Sequence, residues 1–384
     1  MRAYAEIELD NIEYNYAQIR THLRRDTRLC CVVKANGYGH GAVRLAALFE
    51  NIGADFLAVS NLEEALQLRQ GGISLPILIL GYTPAEHAKT LSLNDISQCV
   101  YSLEYGKKLA QNAKKCGVKI KIHVKLDTGM GRIGFLCRDE GENELSDVLT
   151  LCKNEAFIPE GLFTHFALAD EDSGDEYTRK QFSYFDNARR FLEKNGLKFE
   201  ICHTSNSAAL FKYPEYHLDM VRVGLALYGI SPTESQNALD LKPAMKLCSV
   251  ISHKKTLKTG ESVSYGRTFT APHDMTIATV PIGYADGLFR ATGESGYRLM
   301  VSGKPAAILG RICMDQLMID VSDIDCSLGD AVTIFGEEEP FTAASLAFSI
   351  GTIPYEVICS VGARVPRVFI QNGKIIATEN SLCE

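Results

Sequence analysis

Residues 29–53 read LCCVVKANGYGHGAVRLAALFENIG. An aliphatic run ends in Lys34, a turn carrying three glycines follows, and apolar residues then recur at helical spacing up to Gly53, a normal stop just past a helix C-terminus. The same strand, turn and helix unit recurs downstream. Further runs are FLAVS at 56–60, LPILIL at 75–80, QCVYS at 98–102, KIKIHVKL at 119–126, FIPEGLFTH at 157–165, FEICH at 199–203 and LDMVRVG at 218–224. Helical segments such as NLEEALQLRQGG, LEYGKKLAQNAKKCG and DEYTRKQFSYFDNARRFLEKNG lie between them. Eight such units within about 200 residues predict an α/β fold, a (β/α)8 barrel.

Past residue 240 the texture changes to alternating runs with turn signals, including MTIATVPIG, YRLMVSGKPAAILG, QLMIDVSD and DAVTIFGEE. A mainly β domain is expected there, dividing the chain into 1–240 and 241–384. The alternation AYAEIELD at 3–10 precedes the first barrel helix. It could pair with the distant β domain, which the sequence alone leaves open.

The 384 residues are 46% hydrophobic and 23% charged, with a net charge of −7 that offers no electrostatic case for nucleic acid or an anionic membrane. MRAYAEIELDNIEYNY lacks an apolar targeting core, and LPILIL is too short to span a bilayer, so a cytoplasmic protein is expected. The twelve cysteines form no CxxC pair and are expected to stay reduced, and no metal site is assigned.

Polar residues cluster at strand C-terminal ends, the catalytic face of a barrel: Lys34 after the first, Arg132 past the fifth, His165 after the sixth, His203 after the seventh and Arg222 in the eighth. A strand-end histidine or arginine is more often structural, but five on one rim are harder to dismiss. HTSNSAA at 203–209 and RVGLALYG at 222–229 place small residues and backbone N–H groups where barrels bind phosphate. A lysine on strand one facing that site has the layout needed to hold pyridoxal phosphate as a Schiff base.

Over essentially the whole chain these motifs together resemble bacterial alanine racemases, a family of pyridoxal-phosphate isomerases of barrel-plus-β architecture. The resemblance implies that Lys34 carries the cofactor and that Tyr38 contacts its phosphate. VKLDTGMGRIGF resembles the segment in which Arg132 steers the substrate carboxylate and Lys125 bears a supporting carbamate. THFALADED matches at His165, and HTSNSAA matches at His203 and the phosphate-binding Ser207. RVGLALYG carries Arg222 as partner of the pyridine nitrogen, with backbone contacts from Gly224 and Leu225. SVSYGRTF supplies Tyr265 as second base, GRICMDQLMID supplies the Met314 N–H for the substrate carboxylate, and PYEVIC supplies Tyr355 at the entrance. Leu168, and Leu225 where isoleucine is usual, depart from the pattern without touching a proposed catalytic side chain.

The implied reaction interconverts L-alanine and D-alanine by two bases, supplying D-alanine for peptidoglycan, in a head-to-tail homodimer acting on a small amino acid. Tyr265 needs a phenol pKa lowered from ~10, and one positive charge at ~4 Å contributes about 4 kcal/mol at an effective dielectric of ~20, enough for about 2.5 units. Arg222 does not surrender its proton to a ring nitrogen, which leaves the ring a weaker electron sink. A carboxylate there would favour side reactions, and a decarboxylase of related architecture would be expected to carry one. The alternative is a serine or broad-specificity racemase of the same fold; Tyr355 favours alanine because its bulk narrows the pocket. A non-catalytic pyridoxal phosphate carrier leaves Tyr265 and Met314 without purpose.

Overall fold

The aliphatic runs become parallel strands because both of their faces are covered, one by the barrel interior and one by helices. The computed structural model describes residues 1–138, 144–232 and 240–383. Along the chain, β1 is Ala3–Glu8, and the barrel follows as β2 (Arg28–Val32), β3 (Phe56–Val59), β4 (Ile77–Ile79), β5 (Ile96–Val100) and β6 (Ile120–Asp127). The two-residue β7 (Phe135–Leu136) pairs at the rim of β6, and β8 (Phe157–Phe163), β9 (Ile201–His203) and β10 (Met220–Val223) complete the ring. Every residue of β3, β4 and β5 is buried. Hydrogen bonding runs β10, β2, β3, β4, β5, β6, β8, β9. Asp219 N to Cys202 O at 3.1 Å and Arg222 N to Ser205 O at 3.0 Å bring the last two strands together.

Strand five of the chain ends two residues before the predicted run. Ser102 has left it to cap the helix Leu103–Cys116, its side chain accepting from Tyr105 N. Gly117 closes that helix in the left-handed region, at φ 66°.

β1 does not belong to the barrel. It lies between β11 (Met245–Val250), antiparallel, and Arg367–Gln371, parallel, within a seven-stranded sheet of the second module. The strand stops at Glu8 rather than residue 10, because Leu9 opens the first barrel helix, Leu9–Thr21. The chain thus starts in one module and turns directly into the other. A three-stranded sheet (His253–Leu257, Met275–Val280, Leu317–Asp320) and the hairpin Ser262–Val263 with Phe269–Thr270 complete the C-terminal part. No single helix among the described residues is long and apolar enough to cross a membrane.

The two modules grip the turn after β2. Buried Arg367 donates from Nε to Gly39 O at 2.9 Å, from Nη1 to Gly362 O and Val365 O at 2.7 Å each, and from Nη2 to Val361 O at 2.5 Å. A Cβ on Gly39 would lie 2.3 Å from Ile358 O, and one on Gly41 would lie 2.7 Å from the Phe369 ring. These two glycines are therefore crowded by the chain's own C-terminal residues. Burial lowers the Arg367 pKa to about 10, so the side chain remains cationic at neutral pH. Replacing Arg367 with Met removes the donors of four carbonyls at once, with an expected loss of ~2–5 kcal/mol in urea unfolding. An unchanged unfolding midpoint would show that the inter-module staple is not stabilising.

Candidate active site

The segment after β2 is wound the wrong way for L-residues. Ala35, Asn36 and Gly37 have φ/ψ near 52/51°, 54/46° and 62/45°, and Tyr38 has φ 52°. This is one turn of left-handed helix, costing roughly 1–2 kcal/mol at each non-glycine residue. It persists because its groups are held elsewhere: Ala35 N donates to Glu64 Oε1 at 2.7 Å and the Asn36 side chain accepts from Ala42 N at 2.9 Å. The turn puts Lys34 at the strand end and sends Tyr38 back into the protein. Tyr38 is buried, with its ring 4.9 Å from that of Tyr228 and 5.9 Å from that of Tyr355. Tyr228 is itself anchored through its hydroxyl to Val32 O at 2.8 Å.

Opposite this turn, Ser207 opens the helix Ser207–Lys212, and its hydroxyl accepts from Gly224 N at 3.0 Å. A Cβ on Gly224 would lie 2.5 Å from the Tyr38 hydroxyl. Only glycine lets β10 approach that closely. Among the described residues, the N–H groups of Ser207 and Leu225 and the Tyr38 hydroxyl have no hydrogen-bond partner, so three donors converge without an acceptor. That set suits a phosphate.

Arg222 lies in the barrel interior, buried. Its Nη1 donates to His203 Nδ1 at 2.7 Å and His203 O at 3.1 Å; its Nη2 donates to Thr164 O at 2.8 Å, Thr204 O at 3.0 Å and, at 3.3 Å, His165 Nδ1. Of the five guanidinium donors, only Nε–H has no acceptor among the described residues. It is available to a planar ligand with an acceptor nitrogen. Burial lowers Arg222 to about 10, and burial with the cations Arg222, Lys125, Arg132 and Lys34 holds His165 well below its ordinary pKa. His165 is therefore neutral, its Nδ1 lone pair facing Arg222.

Lys34 is pulled below the usual lysine range by burial and by Arg132. Buried Lys125 is lowered to about 8 by burial, with Arg132 and Arg222 adding repulsion. Arg132 itself is exposed on the rim, in a turn that Asp127 organises by accepting from Gly129 N at 2.9 Å, Gly131 N at 3.0 Å and Arg138 at 2.7 Å. Four basic groups, Lys34, Lys125, Arg132 and Arg222, stand around one mouth, and among the described residues none of them is in an ion pair with a carboxylate, which suits an anionic ligand.

Lys34, Tyr38, Lys125, Arg132, His165, His203, Ser207, Arg222, Gly224 and Leu225 thus come together at the barrel mouth, with Tyr355 reaching it from the helix Pro354–Ser360. Tyr265 and Met314 make no hydrogen bond or ring contact with these residues among the described ones. Tyr265 is 71% exposed and Met314 51% exposed, both on the second module. Tyr265 sits in a strained turn, with φ 67° at Ser264 and 49° at Arg267, and the Ser264 hydroxyl donates to Arg311 O at 2.5 Å. Sequence reading missed His123, Glu160 and Ser97, which line the barrel behind Arg222. A histidine two residues before Lys125, hence on the same face of β6, was the available signal.

Comparison with known proteins gives two family matches, the alanine racemase N-terminal domain over residues 7–232 and the alanine racemase C-terminal domain over residues 244–369. Alanine racemase 1 of Clostridium acetobutylicum is 44% identical over 382 residues, 98% of this chain and 97% of that protein. A solved structure of an alanine racemase from Clostridium difficile 630 superposes with a TM-score of 0.94 at 43% identity, covering 100% of this chain and 99% of the other. That from Bacillus anthracis with bound L-Ala-P gives 0.93 at 35% identity, covering 100% and 98%.

The depressed Lys125 has a signed consequence. Between pH ~8 and ~10.5 the unfolded lysine holds a proton that the native one has lost, so this group's contribution to stability rises with pH across that window. Below ~8 the full penalty, about 3 kcal/mol, is present. In carbon-dioxide-free buffer, Lys125→Met is expected to be more stable than the parent chain at pH 7, with the gap closing towards pH 10.5. A constant gap across that range would show that Lys125 is not desolvated.

Proposed function

The chain belongs to the alanine racemase family and acts as an alanine racemase, and we propose that it interconverts L-alanine and D-alanine using Lys34, Tyr265 and pyridoxal phosphate. The observation that carries the cofactor reading is the donor set at the barrel mouth. The unpartnered Nε–H of Arg222 suits the pyridine nitrogen, while Tyr38, Ser207, the Gly224–Leu225 backbone and Tyr355 suit the phosphate. Lys34 supplies the amine. Bound there, the cofactor would acidify the α-proton of an attached amino acid by drawing its electrons into the ring.

The chain's own residues would do the rest. Arg132 and the Met314 N–H, which donates no hydrogen bond among the described residues, hold the substrate carboxylate. Lys34 removes or returns the α-proton on one face and Tyr265 does so on the other. His165, neutral and bonded to Arg222, orients the phenol. Lys125, lowered to about 8, has a larger unprotonated fraction near neutral pH than an ordinary lysine, and that free amine takes up carbon dioxide as a carbamate with release of a proton. The conversion replaces a buried cation by an anion beside Arg132.

The exposure of Tyr265 and Met314 supports a head-to-tail homodimer in which residues 241–384 of one subunit complete the site on residues 1–240 of the other. The boundary follows residues 233–239, which lie outside the described ones. We place the enzyme in the cytoplasm, making D-alanine for peptidoglycan. The relatives named above are all alanine racemases, and turnover of L-alanine well above L-serine and L-lysine is the test of that preference.

Two outcomes check the base assignment. Lys34→Ala is expected to abolish the absorbance near ~420 nm that pyridoxal phosphate shows when linked to a lysine; an unchanged spectrum would move the cofactor lysine elsewhere. Tyr265→Phe is expected to keep that absorbance and slow α-proton exchange from L-alanine into deuterated water by ~10²–10⁴, while exchange from D-alanine is much less affected. Equal losses from both enantiomers would leave Tyr265 a positioning role only.

A further inference from the structure

The hydrogen bonding of Arg222 does not end at His203. His203 Nε2 lies 2.9 Å from His123 Nδ1, and His123 Nε2 lies 2.9 Å from Glu160 Oε2, which also accepts from Ser97 Oγ at 2.5 Å. Both histidines are fully buried, and the Glu160 side chain is 15% exposed. The two ends fix every proton between them, because a guanidinium only donates and a carboxylate only accepts. His203 must accept at Nδ1 and carry its hydrogen on Nε2. His123 then accepts at Nδ1 and donates from Nε2 to Glu160. No other pair of neutral tautomers satisfies all the contacts.

The fold is shaped to make this chain. Ile122 pairs with Pro159 and His123 with Gly161, so Glu160 is the extra residue of a β-bulge, a device that re-aims a side chain. A Cβ on Gly161 would lie 2.2 Å from His123 Nδ1, so the imidazole lies against β8 only over a glycine. Phe163 stacks on His203 with centroids 4.8 Å apart and planes 4° from parallel.

We propose that Glu160 and His123 are positioning residues for Arg222: the carboxylate locks both imidazoles as Nε2–H tautomers, keeping the His203 Nδ1 lone pair on the guanidinium and its Nε–H free for the cofactor. The charged groups facing the chain are consistent with neutral imidazoles. Burial lowers both; Arg222 bears on both, Arg28 adds to the lowering at His123, and Glu160 opposes it there. Burial raises the Glu160 carboxyl, but the bonds from His123 and Ser97, with Lys121 beyond, leave it below its ordinary value, hence ionised. The chain stands on geometry alone; its bearing on pyridoxal phosphate rests on the functional reading above.

The test is histidine 15N NMR on the whole protein with and without pyridoxal phosphate, combined with spectroscopic titration of the apoprotein with that cofactor. The parent chain is expected to show His123 and His203 as Nε2–H tautomers throughout pH 6–9. In Glu160→Gln the carboxamide can donate as well as accept, so the tautomers are expected to become mixed and cofactor affinity to fall on the order of tenfold. Ser97→Ala keeps the carboxylate and is expected to keep both properties. An Nδ1–H tautomer or an imidazolium at either position in the parent chain at pH 7 would overturn the proposal, a result that needs no variant to fold. Unchanged tautomers or unchanged affinity in Glu160→Gln would also overturn it. A parent apoprotein that binds no pyridoxal phosphate would instead overturn the functional reading, and the spectra would still decide the chain.

Discussion

A guanidinium enclosed in a barrel is the constraint around which the first module is organised. An unpaired buried cation costs several kcal/mol even after relaxation, and among the described residues no carboxylate is bonded to Arg222. The barrel answers with neutral acceptors: the carbonyls of Thr164, His203 and Thr204 turn inward just where β8 and β9 end, and the Nδ1 lone pairs of His203 and His165 take the remaining share. Just past the strand ends Ser207 and Leu225 leave N–H groups for an anion, with the Gly224 N–H held by the Ser207 hydroxyl. The same arrangement that satisfies a cation leaves the mouth positive, which suits a substrate and cofactor that both carry negative charge.

The second constraint is strain. The left-handed turn from Ala35 to Tyr38 is unfavourable for its sequence and survives because Glu64 holds the Ala35 N–H, the Asn36 side chain ties the turn to Ala42 N, and Arg367, Ile358 and Phe369 close on Gly39 and Gly41 just beyond it. Most of that pressure comes from residues beyond 350. The C-terminal module therefore shapes the lysine turn within its own chain, whereas its strained Tyr265 turn faces outward. On the proposed head-to-tail dimer one module would serve two sites, its own by packing and another subunit's by chemistry.

The barrel was legible because a buried parallel strand must be aliphatic and a helix beside it must repeat every three to four residues; eight repetitions leave little choice of fold. Lys34, His165, His203 and Arg222 were legible because polar residues at strand ends stand out against such runs. The small error at β5 has a local cause, since Ser102 serves better as a helix cap than as a strand residue. Less could be read where distant segments meet. Nothing in AYAEIELD says that its partners lie about 240 and 360 residues away. The bulge at Glu160 adds one residue to a strand whose hydrophobic pattern is already interrupted by Pro159, so its inward turn has no periodic signature. Gly161 lies inside the predicted run 157–165 and is the space for an imidazole, which no strand pattern signals.

The central claim is that a working site takes Lys34 from one chain and Tyr265 from another. Mixing Lys34→Ala and Tyr265→Phe proteins, each inactive alone, and allowing subunits to exchange tests it directly. In a head-to-tail dimer each heterodimer regains one intact site, so racemisation should return to about a quarter of the parent rate at equal mixing. If Lys34 and Tyr265 act within the same chain, no mixture can restore an intact site. Zero recovery after demonstrated subunit exchange would contradict the account.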